Sequence, residues 1–136
     1  MASLGQDFVK FDYDFFTLRF NVLDADDISA YLGYWAAAPA NWVGTGAAPV
    51  VEKWSAGWTD PALGGGVANG LIVGTTTVDV GITQNDFTGS AFQSSSLYYH
   101  ELTIAPSGPQ QEQSTVIAAG TFYVSASIFT MQGYRP

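Results

Sequence analysis

Only one side chain in this 136-residue sequence titrates near neutrality, His100 in the run LYYHELTI. A single histidine excludes a two-histidine metal site and any histidine relay. A hydrolytic triad could use His100 beside an acid, yet no Gly-x-Ser-x-Gly elbow occurs. His100 shares its alternation with Tyr98, Leu102 and Ile104, so the pattern predicts a core or interface side chain rather than a base. Carboxylates give weaker signals. Asp24, Asp26 and Asp27 have the composition of a calcium loop, but the glycine and distal glutamate of such a loop are missing, and a turn at a strand end is the expectation. Asp12 with Asp14, or Asp79 with Asp86, could be imagined as a glycosidase pair. Without a cleft to hold them, such pairs are the ordinary state of an acidic surface. Gly64, Gly65 and Gly66 lack the lysine and helix start of a phosphate cradle and read as a flexible loop.

The four tryptophans carry more information. Trp35, Trp54 and Trp58 fall on strand-like runs and Trp42 on a loop of small residues. Sandwiches that bind sugars stack them on exposed aromatics, which keeps a carbohydrate-binding module open. Core and subunit contacts use the same side chains and are the stronger expectation.

The elements that must position these residues follow from composition. The length suits one domain with a real core. Apolar residues make up 47% and charged ones 12%, too hydrophobic for charge-driven disorder. Nine Phe, seven Tyr and four Trp favour pleated strands. Net charge is −8, with Lys10, Arg19, Lys53 and Arg135 the fixed cations, too few to neutralise a phosphate backbone, so nucleic acid is not an expected partner. Without cysteine there is no disulfide framework and no thiolate metal site. Asp7 and Lys10 interrupt the apolar core that a secretory leader needs, so the start reads as mature protein. Residues 28–51 carry no charge, but Gly33, Pro39, Gly44, Gly46 and Pro49 break any spanning helix, so no membrane span is expected.

Strand by strand, Phe8 to Tyr13 alternates without a clear inside. Phe16, Leu18, Phe20 and Val22 alternate with Thr17, Arg19 and Asn21 as a half-buried strand. Tyr31 to Ala37 is apolar on both faces and predicts a central strand or one touching a partner. Val50 to Trp58 resumes as strand. Asn69-Gly70 suits a tight hairpin turn. Leu71 to Val73 and Thr76 to Ile82 follow, the latter with Val78, Val80 and Ile82 inward. Residues 84–96 are the one place for a helical turn. Leu97 to Val124 then forms a hairpin across a proline-rich turn, with Tyr98, His100, Leu102 and Ile104 on one face of its first strand. Val116, Ala118, Gly120, Phe122 and Val124 are expected inward on its second. About seven strands at this spacing predict an all-β, immunoglobulin-like, antiparallel two-sheet β-sandwich, a single domain over residues 1–136 with an N-terminal arm (1–14) and a short C-terminal tail (126–136).

The order of LGQDF, FFTLRFNVLDADD, an aromatic strand ending in Trp35, VDVGITQNDFTG, YYHELTI and AAGTFYVSAS resembles the small immunoglobulin-like virion proteins of tailed bacteriophages. That group includes head decoration and accessory proteins and the N-terminal domains of upper-baseplate proteins. The likeness spans nearly the whole chain. The loops at 36–49 and 64–70 are longer than in the simplest members and could have been built into an attachment surface. The resemblance implies a non-enzymatic structural protein of the virion, with capsid decoration or cementing ahead of a baseplate or tail role. It implies no cofactor, and as partners the major capsid protein or other virion subunits in a symmetric or homo-oligomeric arrangement. Phe8, Phe11, Tyr13, Trp42, Ile128, Phe129 and Tyr134 are the expected contact residues, since both ends carry more aromatics than exposed termini normally show.

Overall fold

Two sheets, one of five strands and one of three, pack around a shared apolar interior in the computed structural model, which describes residues 7–11, 15–22, 27–41, 48–58, 67–87, 92–93, 95–106 and 114–126. The strands are β1 (Phe8–Phe11), β2 (Phe16–Asn21), β3 (Leu32–Pro39), β4 (Val51–Trp54), β5 (Leu71–Val73), β6 (Thr77–Ile82), β7 (Ser96–Ala105) and β8 (Thr115–Ser125). A single 3-10 turn over Gln84–Phe87 falls inside the stretch expected to turn. The order is β1-β8-β7-β3-β4 in one sheet and β2-β6-β5 in the other. The architecture is thus an all-β two-sheet sandwich.

Alternation decides which side chains are inside. Leu18 and Phe20 of β2, Val78, Val80 and Ile82 of β6, and Tyr98, His100, Leu102 and Ile104 of β7 are all buried, as their period-two spacing predicts. Each large apolar group so placed contributes about 1.5–3 kcal/mol. Strand β3 lies between β7 and β4, which explains its two apolar faces. Gly33 on its inward face admits β5: a Cβ there would lie 2.7 Å from Leu71 Cδ2. Phe92 sits at the centre, its ring edge-on to Phe122 at 4.8 Å and to Tyr98 at 5.0 Å.

Three features depart from the expected pattern. First, the sandwich is not wholly antiparallel, because β1 runs parallel to β8, pairing Phe8 with Phe122 and Val9 with Tyr123. Second, the β7–β8 register shifts between Leu102 and Thr103, so Leu102 faces Ala118 while Thr103 faces Val116. The extra residue of that bulge, Ile117, turns inward and Val116 turns out, which reverses the alternation assigned to the start of β8. Third, Asn69-Gly70 does not close a hairpin. Trp54 and Asn69 exchange backbone hydrogen bonds of 3.1 and 2.8 Å, and the chain crosses there from β4 in one sheet to β5 in the other. Gly70 has φ +72°, and a Cβ on it would stand 3.1 Å from Lys53 Cδ and 3.3 Å from the Gly81 carbonyl oxygen, so glycine leaves room for the lysine stem.

Candidate functional site

The residues with the strongest chemical potential lie in the interior. His100 is fully buried, paired in the ladder with Gly120 on one side and Ala37 on the other. Trp35 Nε1 donates to His100 Nδ1 at 3.2 Å, which makes Nε2 the protonated nitrogen of a neutral ring. The rings of Phe8 and Phe20 close on it at 5.1 and 6.1 Å. No substrate can touch an imidazole so enclosed, and its role is to join two strands through a buried polar contact. Tyr98, two residues earlier on the same face, accepts a 2.7 Å hydrogen bond at its hydroxyl from the backbone N–H of Gln93. That bond anchors the entry to β7.

Among the described residues, Asp79 and Asp86 do not form a carboxylate pair. Asp79 takes a bidentate contact from Arg19 on the outer face of the three-stranded sheet, both bonds 2.8 Å, and this lowers its pKa below the usual carboxylate range. Asp86 instead meets Lys53 Nζ at 3.0 Å in a largely buried pair, and also accepts from the backbone N–H of Thr83. The two are therefore committed to separate cations rather than to each other. Asp27 accepts from Ser29 N at 2.8 Å, as a turn residue does, while Asp12, Asp14, Asp24 and Asp26 lie outside the described residues. Among the described residues no three metal-ligating side chains cluster. Gly64 to Gly66 also lie outside them.

The tryptophans divide by burial. Trp35 is in the core. Trp58 is buried and stacked on Tyr34 at 5.4 Å, and its Nε1 finds no hydrogen-bond acceptor among the described residues. Trp54 is half-buried and donates to the Val67 carbonyl at 2.7 Å. Of the three tryptophans that could form a sugar platform, Trp58 presents no exposed face, Trp54 is half-buried, and Trp42 lies outside the described residues.

Of the expected contact residues, Phe8 is described in full: its ring stacks on Phe122 at 4.5 Å and packs against the core. Phe11 ends β1 opposite Ser125, its side chain outside the described set. Tyr13, Trp42, Ile128, Phe129 and Tyr134 also fall outside it.

What the structure does bring together is the outward face of the five-stranded sheet. Val9, Tyr123 and Leu97 stand in one row across β1, β8 and β7, and they are 65%, 36% and 46% exposed. The next rows inward carry Thr121 and Tyr99, then Ala119, Glu101, Ala36 and Glu52, then Thr103, Tyr34 and Trp54. Tyr99 donates to Glu101 at 2.7 Å and Tyr34 donates to Glu52 at 2.6 Å. Burial, then the neighbouring carboxylate, pushes the Tyr99 hydroxyl up to about 12 and the Tyr34 hydroxyl higher still. Asp7 Oδ1 accepts from both N and Oγ1 of Thr121, which lowers its pKa. Leu97 and Tyr123 were readable as outward apolar residues from alternation, whereas Val9 needed the non-local pairing of β1 with β8.

Below Leu97 a cavity of about 390 Å³ opens among Pro39, Asn41, Val50, Gln93 and Tyr98. The described residues lining it bear no charge, so it offers hydrogen bonds and apolar contact only. Among the described residues no helix is long and apolar enough to cross a membrane. Comparison with family models, with curated proteins and with solved structures finds no match for this chain.

Proposed function

We propose that this chain is an immunoglobulin-like structural module that works by binding alone, as a decoration or cement protein linking neighbouring capsid subunits of a tailed-phage virion. The strand order supports the immunoglobulin-like part: β2-β6-β5 matches the three-stranded B-E-D arrangement, and β4-β3-β7-β8 matches C′-C-F-G, with β1 added beside β8. A buried tryptophan on the C-type strand, Trp35, and a tyrosine whose hydroxyl bonds the backbone just upstream, Tyr98, are two further marks of that fold. His100 stands two residues after Tyr98, where a cysteine would close the inter-sheet disulfide; here the position instead bonds Trp35 on the adjacent strand of the same sheet and meets the Phe20 ring of the other sheet at 6.1 Å.

A sandwich hosts many functions, so the virion role rests on the motif likeness and on what the surface offers. The observation that carries a binding role is the exposed row Val9–Tyr123–Leu97 on a protein whose sole histidine is enclosed. Exposed apolar residues aligned on one face mark contact surfaces. The partners in this reading are the major capsid protein or other virion subunits, and the protein resides in the assembled particle. No cofactor takes part.

A map of purified particles tests this. Density for the sandwich on the capsid shell supports decoration; density in the baseplate or tail moves the role there. Particles lacking the chain, or a specific response on a glycan array, would replace the proposal with an adhesion module.

A further inference from the structure

We infer that the outward face of the five-stranded sheet, with its apolar row Val9–Tyr123–Leu97 and its carboxylates Asp7, Glu52 and Glu101, docks a lysine- or arginine-bearing surface of a neighbouring protein. The inference rests on the binding role proposed above and names the chemistry of the surface that meets it.

Charge selects the occupant. Three described acids lie on this face or at its margin, and the described cations are all elsewhere. Lys10 Nζ lies 5.2 Å from the centre of the Phe16 ring, Arg19 is spread on Asp79 across the other sheet, and Lys53 is buried against Asp86. A second copy set face to face would bring acids against acids with no described cation to offset them, in a chain of net charge −8. A basic partner removes that repulsion.

The acids are also held in place. Tyr99, Tyr34 and Thr121 each fix one carboxylate by hydrogen bonds of 2.6 to 3.0 Å. A carboxylate has about four acceptor sites, so one phenol leaves capacity for a guanidinium or ammonium. Groups ordered before contact lose less freedom on binding. Ala36, Ala38 and Ala119 occupy the middle of the face, and Ala38 and Ala119 are themselves buried, so the accessible groups are the row Val9–Tyr123–Leu97 and the half-buried Tyr99 and Glu101. From strand spacing and rise, the face measures about 20 Å by about 20 Å. A patch of that size buries about 800 Å² in total, the scale of a weak, transient contact, which repetition on a symmetric particle would reinforce.

The test uses the intact chain and two probes, a short peptide of alternating lysine and valine and its glutamate–valine counterpart. Amide shifts in NMR titrations are expected to move saturably at Val9, Leu97, Tyr99, Glu101 and Tyr123 with the lysine peptide, to weaken with added salt, and to stay still with the glutamate peptide. Glu101→Lys combined with Asp7→Lys should weaken binding by about tenfold or more; Leu97→Lys provides an independent variant if that pair does not fold. Equal binding of both peptides, shifts confined to the three-stranded sheet, no shift with either, or dimerisation through these residues overturns the inference. Each of those results leaves the virion role standing. Absence of the chain from purified particles overturns that role and leaves the peptide result intact.

Discussion

Replacing Asp86 with Asn removes one charge from the least solvated ion pair described in this protein. Lys53 and Asp86 side chains retain only 9% and 14% of their exposure, with Nζ and Oδ2 3.0 Å apart. Asn keeps an acceptor for the Thr83 N–H, so the change isolates the lysine's loss of its counter-charge. At that distance and an effective dielectric near 20, the attraction is about 5 kcal/mol. Breaking a buried pair by removing one partner costs about 3–5 kcal/mol, because the remaining charge stays desolvated. Domains of this kind are stable by about 5–15 kcal/mol, so Asp86→Asn should consume about a fifth or more of the total. With a urea m-value of about 1.5 kcal/mol/M, the midpoint falls by about 2 M or more. Lys53→Met in the same background keeps the stem beside Gly70 and removes the stranded charge, and the double variant should recover most of the loss. Equilibrium urea unfolding followed by tryptophan fluorescence reads both. A loss below about 1 kcal/mol for Asp86→Asn, or a double variant no more stable than the single, would refute the claim that this lysine depends on its partner.

Two tryptophan-to-phenylalanine changes should behave differently. Trp35→Phe removes the Nε1–H that His100 Nδ1 accepts in a fully buried site and should cost about 1–3 kcal/mol, whereas Trp58→Phe removes a donor with no acceptor among the described residues and should stay within about 1 kcal/mol; thermal melts compare them. Gly33→Ala drives a Cβ into Leu71 between the sheets and should destabilise by about 1–3 kcal/mol in chemical unfolding. On the alkaline side, the Tyr99 hydroxyl is raised to about 12, so the stability tied to its neutral form is complete below about pH 10 and is lost as pH rises through 12. Absorbance titration of the phenolates should show Tyr99 and Tyr34 ionising last, and Glu101→Gln should move Tyr99 only partway back, because burial is the larger cause. On the acid side, Asp79 and Asp27 are lowered by their hydrogen bonds, so their contribution is present above about pH 4 and fades as pH falls below it.

Local pattern carried much of this fold into view. Leu18 and Phe20, Val78 to Ile82, and Tyr98 to Ile104 announce their faces because one side of each strand must leave water, and period two is visible within a few residues. What stayed hidden depends on pairings across the chain. Ile117 points inward because of a bulge opposite Leu102 and Thr103, and alternation alone assigned that place to Val116. Gly70 was readable as a position for positive φ, yet not as a crossing between sheets, since that depends on Trp54 meeting Asn69. The burial of Lys53 contradicts its residue type and becomes intelligible once Asp86 is beside it. For the candidate face, Leu97 and Tyr123 were legible as outward residues, while Val9 and the two Tyr–Glu pairs required the register of β1, β3 and β4.

The parallel seat of β1 against β8 has a consequence for how the chain is made. Asp7 reaches Thr121 across 114 positions, so β1, which is synthesised before β8, has no ladder to join until β8 has emerged. Phe8 and Val9 therefore lack their partners Phe122 and Tyr123 until then, and closure of a loop this long is expected among the slow events of folding.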